Sequence, residues 1–188
     1  GSEHGDRYDL VLADGVHVDP EQFRRNLFTT SSCGVCGKAS IDAVRVAARH
    51  LPDGPTLDPA IIASLPDAMR EGQARFADSG SIHAAAAFDP EGNLLAIHED
   101  VGRHNAVDKT VGDLSAHGWP LDPTLLMVSG RISFEMVQKA AVAGIPVIAG
   151  VSGASTLAAD LGDELGMTVI GFLRGSGFNI YSGAKRIS

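Results

Sequence analysis

Apolar positions in the second half of the chain recur with two different periods. Two short apolar runs, Ile82 to Phe88 and Leu94 to His98, flank Asp89-Pro90-Glu91-Gly92-Asn93. Strand-length runs around a turn-rich pentapeptide predict an antiparallel hairpin with a longer turn. Beyond it, helical spacing over Asn105 to His117, Phe134 to Ala143 and Thr156 to Leu165 alternates with apolar runs at Thr124 to Val128, Pro146 to Val151 and Thr168 to Leu173. Short strands joined by single helices predict βαβ crossovers. The expected class is therefore α/β, with a mixed, mostly parallel sheet covered on both faces and an antiparallel strand from the hairpin.

Upstream the pattern is weaker. Tyr8 to Leu12 reads as a strand ahead of a turn at Ala13-Asp14-Gly15. Ser40 is placed to cap a helix on which Ile41, Val44, Ala48 and Leu51 share a face, ending at Pro52-Asp53-Gly54. Asp58-Pro59 and Leu65-Pro66 predict the starts of two shorter helices, the second with Leu65, Met69 and Phe76 as its apolar side.

Composition narrows the class of protein. With 188 residues and 44% hydrophobic content, residues 3–188 are expected to form one domain, and Gly1-Ser2 reads as a remnant of an expression tag. No apolar run approaches the roughly 18 residues of a membrane span, and no signal peptide opens the chain, so a cytoplasmic location is expected. A net charge of −8 argues against general nucleic-acid affinity, which needs a basic surface to release counterions. Any anionic ligand must be held by local basic groups.

Both cysteines, Cys33 and Cys36, lie in Thr30-Ser31-Ser32-Cys33-Gly34-Val35-Cys36-Gly37-Lys38. Two thiols cannot build the multi-bridge framework of a small secreted domain, which leaves redox, metal or sulfur-transfer chemistry. A structural zinc site would need a second cysteine pair that the chain lacks, so no metal is expected. A thioredoxin-like pair would follow a strand, and the strand ahead of it is poor. A cysteine before a helix N-terminus with Lys38 nearby has its thiolate favoured by both charges, and such a thiolate can hold a sulfane sulfur as a persulfide.

The strand ends carry a second signal. Leu94 to His98 runs into Glu99-Asp100-Val101-Gly102-Arg103-His104, Thr124 to Val128 into Ser129-Gly130-Arg131, Pro146 to Val151 into Ser152-Gly153-Ala154-Ser155, and Thr168 to Leu173 into Arg174-Gly175-Ser176-Gly177. Ligands of open α/β sheets bind outside the carboxyl ends of the strands. Three arginines beside glycines on that edge suit a phosphorylated ligand, and three separate loops suit a large one, such as a nucleotide or pyrophosphate-containing cofactor. The bland reading of each Gly-Arg pair is a turn with a surface ion pair. His83, His98 and His117 read as structural or surface residues, whereas His104, between Arg103 and Asn105, is better placed to touch ligand.

The cysteine segment, Asp100-Val101-Gly102-Arg103-His104-Asn105-Ala106-Val107-Asp108-Lys109, Ser129-Gly130-Arg131 with Ser133-Phe134-Glu135-Met136-Val137-Gln138-Lys139-Ala140, and Gly171-Phe172-Leu173-Arg174-Gly175 with Asn179-Ile180-Tyr181 together resemble the FdhD family, the accessory sulfurtransferases of formate dehydrogenase. The resemblance implies a cytidine deaminase-like three-layer α/β fold, usually homodimeric. It implies sulfur receipt from a cysteine desulfurase and its transfer to the molybdenum cofactor of formate dehydrogenase, a bis(molybdopterin guanine dinucleotide), with GDP-like nucleotides as mimics. Residue by residue, Cys33 matches the position that bears the persulfide and Cys36 its partner; Phe172, Leu173, Arg174, Gly175, Ser176 and Gly177 match the cofactor-contacting segment. Arg103, His104 and Arg131 lie in family motifs too, and their cofactor contacts follow from their strand-end positions.

The resemblance also marks departures. The chain is short for the family and is expected to be a C-terminal portion of a longer one, and Ser152-Gly153-Ala154-Ser155 replaces a proline-containing loop. Zinc-dependent deamination is not expected: that chemistry needs His-x-Glu followed by Pro-Cys-x-x-Cys, whereas here His83-Ala84-Ala85 has no glutamate and Ser32 precedes Cys33. Two other function classes stay open. A cofactor chaperone would bind guanine nucleotide without carrying sulfur, and a thiol–disulfide oxidoreductase would do redox work without binding nucleotide.

Overall fold

A computed structural model describes residues 11–18, 50–119, 121 and 125–188, and the chain divides into two compact units, Gly1–Ile41 and Asp42–Ser188. In the first unit the described stretch is exposed and turns at Asp14-Gly15, as expected, with the Val16 N–H donating to the Ala13 carbonyl at 3.1 Å. Of the expected first strand only Val11 and Leu12 are described, and they form none. Cys33, Cys36 and the helix expected from Ser40 lie outside the described residues, apart from the last residues before Pro52.

Among its described residues the second unit carries helices α1 (Pro59–Gly72) and α2 (Ala74–Ser79), followed by the hairpin β1 (His83–Phe88) and β2 (Leu94–Asp100). Then come α3 (Arg103–Ser115), β3 (Leu125–Val128), α4 (Phe134–Val142), β4 (Val147–Gly150), α5 (Thr156–Glu164), β5 (Thr168–Arg174) and β6 (Gly177–Ser182), with a closing 3₁₀ turn at Ala184–Arg186. The strands make one sheet in the order β2-β1-β3-β4-β5-β6. β3, β4 and β5 run parallel because helices α4 and α5 carry the chain back between them, and the hairpins place β1–β2 and β5–β6 antiparallel. β1 also lies antiparallel to β3. The α/β class and the mixed sheet are as expected, but the sheet is not mostly parallel: only β3–β4 and β4–β5 pair in parallel, because the chain enters and leaves this centre through antiparallel strands.

Two further features differ from the sequence reading. The two helices expected from Asp58-Pro59 and Leu65-Pro66 are a single one: Asp58 caps it through Ala60 N–H, Pro59 opens it, and Pro66 sits inside. Proline there removes one N–H from the helical ladder, and Ile62, Leu65 and Met69, buried along one face against the sheet, keep both turns in line. The segment read as a glycine-rich ligand loop after β5 is a two-residue hairpin turn, Gly175-Ser176, leading into β6. Gly175 takes φ +55, a conformation that favours glycine.

Side-chain alternation builds the layers. Ala84, Ala86 and Phe88, Leu125 and Met127, and Val147 and Ala149 form one buried cluster with Ile62, Leu65 and Met69 of α1. The intervening residues, among them Ala85, Leu126 and Ile148, are equally buried on the opposite face, under α3, α4 and α5. Small alanines through β1 let helices approach on both sides, and Thr110 of α3 donates its hydroxyl to the Ala85 carbonyl at 2.9 Å. The C-terminal turn is pinned from inside by Arg186, 2% exposed, which donates to the Gly166 and Pro52 carbonyls at 2.6 and 2.8 Å.

Candidate functional site

The carboxyl ends of β3, β4 and β5 open into a cavity of about 590 Å³, within the size range of small-molecule sites. Ser129, Val151 and Leu173-Arg174-Gly175 contribute from those strand ends, and because β1 runs antiparallel its first residue, His83, lies at the same edge. The opposite wall is helical, from Met69 and Arg70 of α1 through Gln73 to Phe76 of α2. Arg70 and Arg174 give the lining two guanidinium groups, against the single carboxylate of Asp67.

Local backbone geometry aims Arg174. The β5–β6 register shifts between Gly171 and Arg174, and within that bulge Phe172 takes φ +53, the one non-glycine residue with positive φ among those described. Such a conformation costs on the order of 1–3 kcal/mol. It turns Leu173 inward to 0% exposure and leaves Phe172 outside, its N–H on the Ser152 carbonyl. Gly153 and Phe172 are complementary: a Cβ on Gly153 would come within 3.0 Å of the ring. Arg174 then folds back so that its Nε donates to the Val151 carbonyl at 3.2 Å, which leaves the rest of its guanidinium fork for a ligand.

The other strand-end loops are braced against each other. Ile132 N–H donates to the Gly153 carbonyl and Ser155 N–H to the Ile132 carbonyl, tying the loops after β3 and β4 together. Gly150 suits the close approach where they meet, since a Cβ there would lie 3.1 Å from the Gly130 carbonyl oxygen. Ser155 caps α5 through Ala158 N–H, so the loop without proline has an ordinary structural use.

Asp100 organises the segment that opens α3. Its carboxylate accepts from Lys109, the Gly102 N–H and Asn105, and these bonds hold its pKa down at about 2, the Lys109 bond contributing most. Arg103 packs beside Gly130, and its Nε is buried without a hydrogen-bond partner. His104 faces α4 instead of the cavity, with Nε2 3.4 Å from Ser133 Oγ and 3.8 Å from Glu135 Oε2. Burial pushes its pKa below the ordinary 6.5, and the nearby Glu135 only partly offsets that.

The structure therefore brings Leu173, Arg174 and Gly175 to the cavity wall. Arg103 and His104 sit behind it, Arg131 is exposed on its loop, Phe172 lies against Gly153, and Ser176 and Gly177 form the hairpin beyond the lining. A family model described as the FdhD/NarQ family matches residues 4–188. The chain belongs to the FdhD/NarQ family. The sulfur carrier protein FdhD of Streptomyces avermitilis is 53% identical over all of this chain and 68% of its own length, and that of Mycobacterium tuberculosis is 48% identical over 96% of this chain and 66% of its own. The chain thus spans about two thirds of the length of these curated relatives. A crystal structure of a candidate formate dehydrogenase accessory protein from Desulfotalea psychrophila matches with a TM-score of 0.67 at 28% identity, over 74% of this chain and 60% of that one.

In this FdhD/NarQ chain the helical wall of the cavity is what sequence reasoning missed. Arg70, Gln73 and Phe76 sit within a helical pattern, where a side chain facing a cavity and one facing solvent look alike. His83, read as structural or surface, lines the cavity because β1 is reversed relative to β3. The detectable signal was the turn chemistry before β1: Gly80, at φ +63, ends α2 and returns the chain to the sheet edge. Among the described residues no helix is long and apolar enough to cross a membrane.

Proposed function

We propose that this FdhD/NarQ chain is a sulfur carrier in the maturation of formate dehydrogenase. The observation that carries the reading is that relatives about half identical to it, aligned over nearly its whole length, are sulfur carrier proteins, and that its only two thiols share one short segment. In this reading Cys33 takes sulfur from the persulfide of a cysteine desulfurase. Its thiolate attacks the outer sulfur, the donor S–S bond breaks as the Cys33 Sγ–S bond forms, and the donor leaves as its own thiolate, with no net redox change.

The acceptor is the bis(molybdopterin guanine dinucleotide) molybdenum cofactor, which passes through the protein as cargo and is not a resident group. A neutral outer sulfur becomes a sulfide ligand only on gaining two electrons. Cys36 supplies them by attacking Cys33 Sγ: a Cys33–Cys36 disulfide forms and the outer sulfur leaves as sulfide. Arg174 and the rest of the basic cavity suit the phosphates of such a cargo, and GDP is its simplest mimic. A cytoplasmic homodimer working between the desulfurase and formate dehydrogenase completes the reading.

The test is the intact mass and peptide map of the protein after incubation with a cysteine desulfurase and cysteine under non-reducing conditions. Reductant-removable sulfur on Cys33 is expected, absent in Cys33→Ala. Arg174→Ala should weaken GDP binding while sulfur still loads. Sulfur found only on Cys36 would overturn the assignment of Cys33, and none at all would refute the carrier reading and leave cofactor chaperoning.

A further inference from the structure

One wall of the cavity is less firmly built than the rest. α2 is six residues long, buries no side chain and has no side-chain cap of its own. The chain bends at both of its ends: Gln73, between α1 and α2, leaves helical geometry at φ −83, ψ 82, and Gly80 closes α2 at φ +63, in the left-handed region that favours glycine. Among the described residues two hydrogen bonds tie α2 to the sheet, and one side chain accepts both. Glu99 of β2 takes the Arg75 N–H on Oε2 at 2.8 Å and the Phe76 N–H on Oε1 at 2.9 Å. First-turn amides have no partner within their own helix, so this carboxylate is the cap that α2 lacks.

Glu99 itself is held fast. Lys109 of α3 donates to its backbone carbonyl at 3.4 Å and to the carboxylate of the next residue, Asp100, at 2.5 Å. The carboxylate is therefore fixed on the sheet side, and the helix is the part free to leave. Within α2 only Phe76 is even half-buried, beside Arg70 of α1, whose guanidinium carbon lies 5.8 Å from the ring centroid. Segments with few buried apolar contacts open at a fraction of the global unfolding free energy.

A cavity of about 590 Å³ buries a small ligand. The cargo proposed above carries two guanine dinucleotides and is much larger, so fixed walls would leave much of it outside. We infer that α2 is a lid on the cavity: it swings about Gln73 and Gly80 when its two bonds to Glu99 break, widens the cavity for the cargo, and latches again once the cargo is in. The inference rests on the proposed cofactor-holding role and adds a moving part to it. Glu99 is the latch and touches no cargo.

The test is stopped-flow binding of GDP carrying a fluorophore on its ribose to the whole chain. Loss of the latch destabilises the closed lid whether the cavity is empty or filled, so a gate changes both rates together. In Glu99→Ala the association and dissociation rates should each rise roughly tenfold, the order expected for one lost charge-assisted cap, while Kd stays within about twofold of wild type. Glu99→Gln, which keeps one acceptor oxygen, should raise both rates by less, and it decides the matter if the alanine variant does not fold. A dissociation rate that rises alone, weakening Kd, would make α2 a fixed contact wall and overturn the lid. Unchanged rates in both variants would overturn it too, while leaving the cofactor-holding role in place. A wild-type chain that binds no labelled GDP overturns that role and the lid with it.

Discussion

Removing the Glu99 carboxylate should loosen one small helix and leave the rest of the sheet intact. In Glu99→Ala the N–H groups of Arg75 and Phe76 lose their acceptors at 2.8 and 2.9 Å. Arg75 is exposed and its N–H rehydrates, while Phe76 is half-buried and its N–H rehydrates less well. Loss of an N-terminal cap costs about 1 kcal/mol, and a hydrogen bond to a charged group about 1.5–3 kcal/mol before water replaces it. A net loss of about 1–2 kcal/mol follows. α2 buries no side chain, so the loss should appear as local opening. Hydrogen exchange read by mass spectrometry should show peptides covering Ala74–Gly80 exchanging roughly 5- to 30-fold faster, since about 1.4 kcal/mol is a factor of ten. Glu99→Gln, which keeps one acceptor oxygen, should fall between. Protection of α2 within twofold of wild type in Glu99→Ala would refute the reasoning, because it would mean that something other than this carboxylate holds the helix.

Gly162→Ala should destabilise the fold despite alanine's better helix propensity. The new Cβ would lie 2.5 Å from Val169 Cγ2 and 2.7 Å from Ser182 Oγ, and overpacking of this kind costs about 1–3 kcal/mol in a urea titration; a midpoint at or above wild type would contradict it. His104 makes stability pH-dependent. Its folded pKa lies below 6.5, so the unfolded chain binds its proton first; the stabilisation is complete above 6.5 and is lost as pH falls through that value toward the folded pKa. His104→Gln should remove that share of the decline, and identical stability–pH curves for variant and wild type would exclude it. Cys36→Ala should still load sulfur on Cys33 but release sulfide only when an external thiol is added, as a sulfide-release assay can show.

The alternating core of the fold was legible because the central strands β3 and β4 are wholly apolar and the helices packed between them carry one apolar face, so the two periods separate cleanly from Leu125 to Leu173. Pro66 misled because proline is a reliable marker of helix starts, and its tolerance here depends on tertiary burial of Leu65 and Met69 that local sequence does not encode. β6 escaped because Gly175, Ser176 and Gly177 resemble a flexible loop, although a two-residue turn with glycine first is also the signature of a tight hairpin. Strand ends located the β5 wall of the site, with Arg174 in it. They could not show that Arg103 and His104 turn toward Gly130 and α4, since that depends on how the opening of α3 is pinned by Asp100. The helical wall was invisible for a different reason: which polar helix residues meet a cavity is set by packing angle and not by spacing.

The cavity is assembled from stretches of chain that leave the ribosome far apart in time. Its helical wall and His83 emerge first, Ser129 and Val151 later, and Leu173 and Arg174 after all of these. A growing chain that lacks β5 has no carboxyl-end wall on that side and no Arg174, so it offers a phosphorylated ligand only half of the pocket. A cargo held in this cavity would have to wait for β5, and a chain truncated before Thr168 should bind no GDP even if its remaining strands paired.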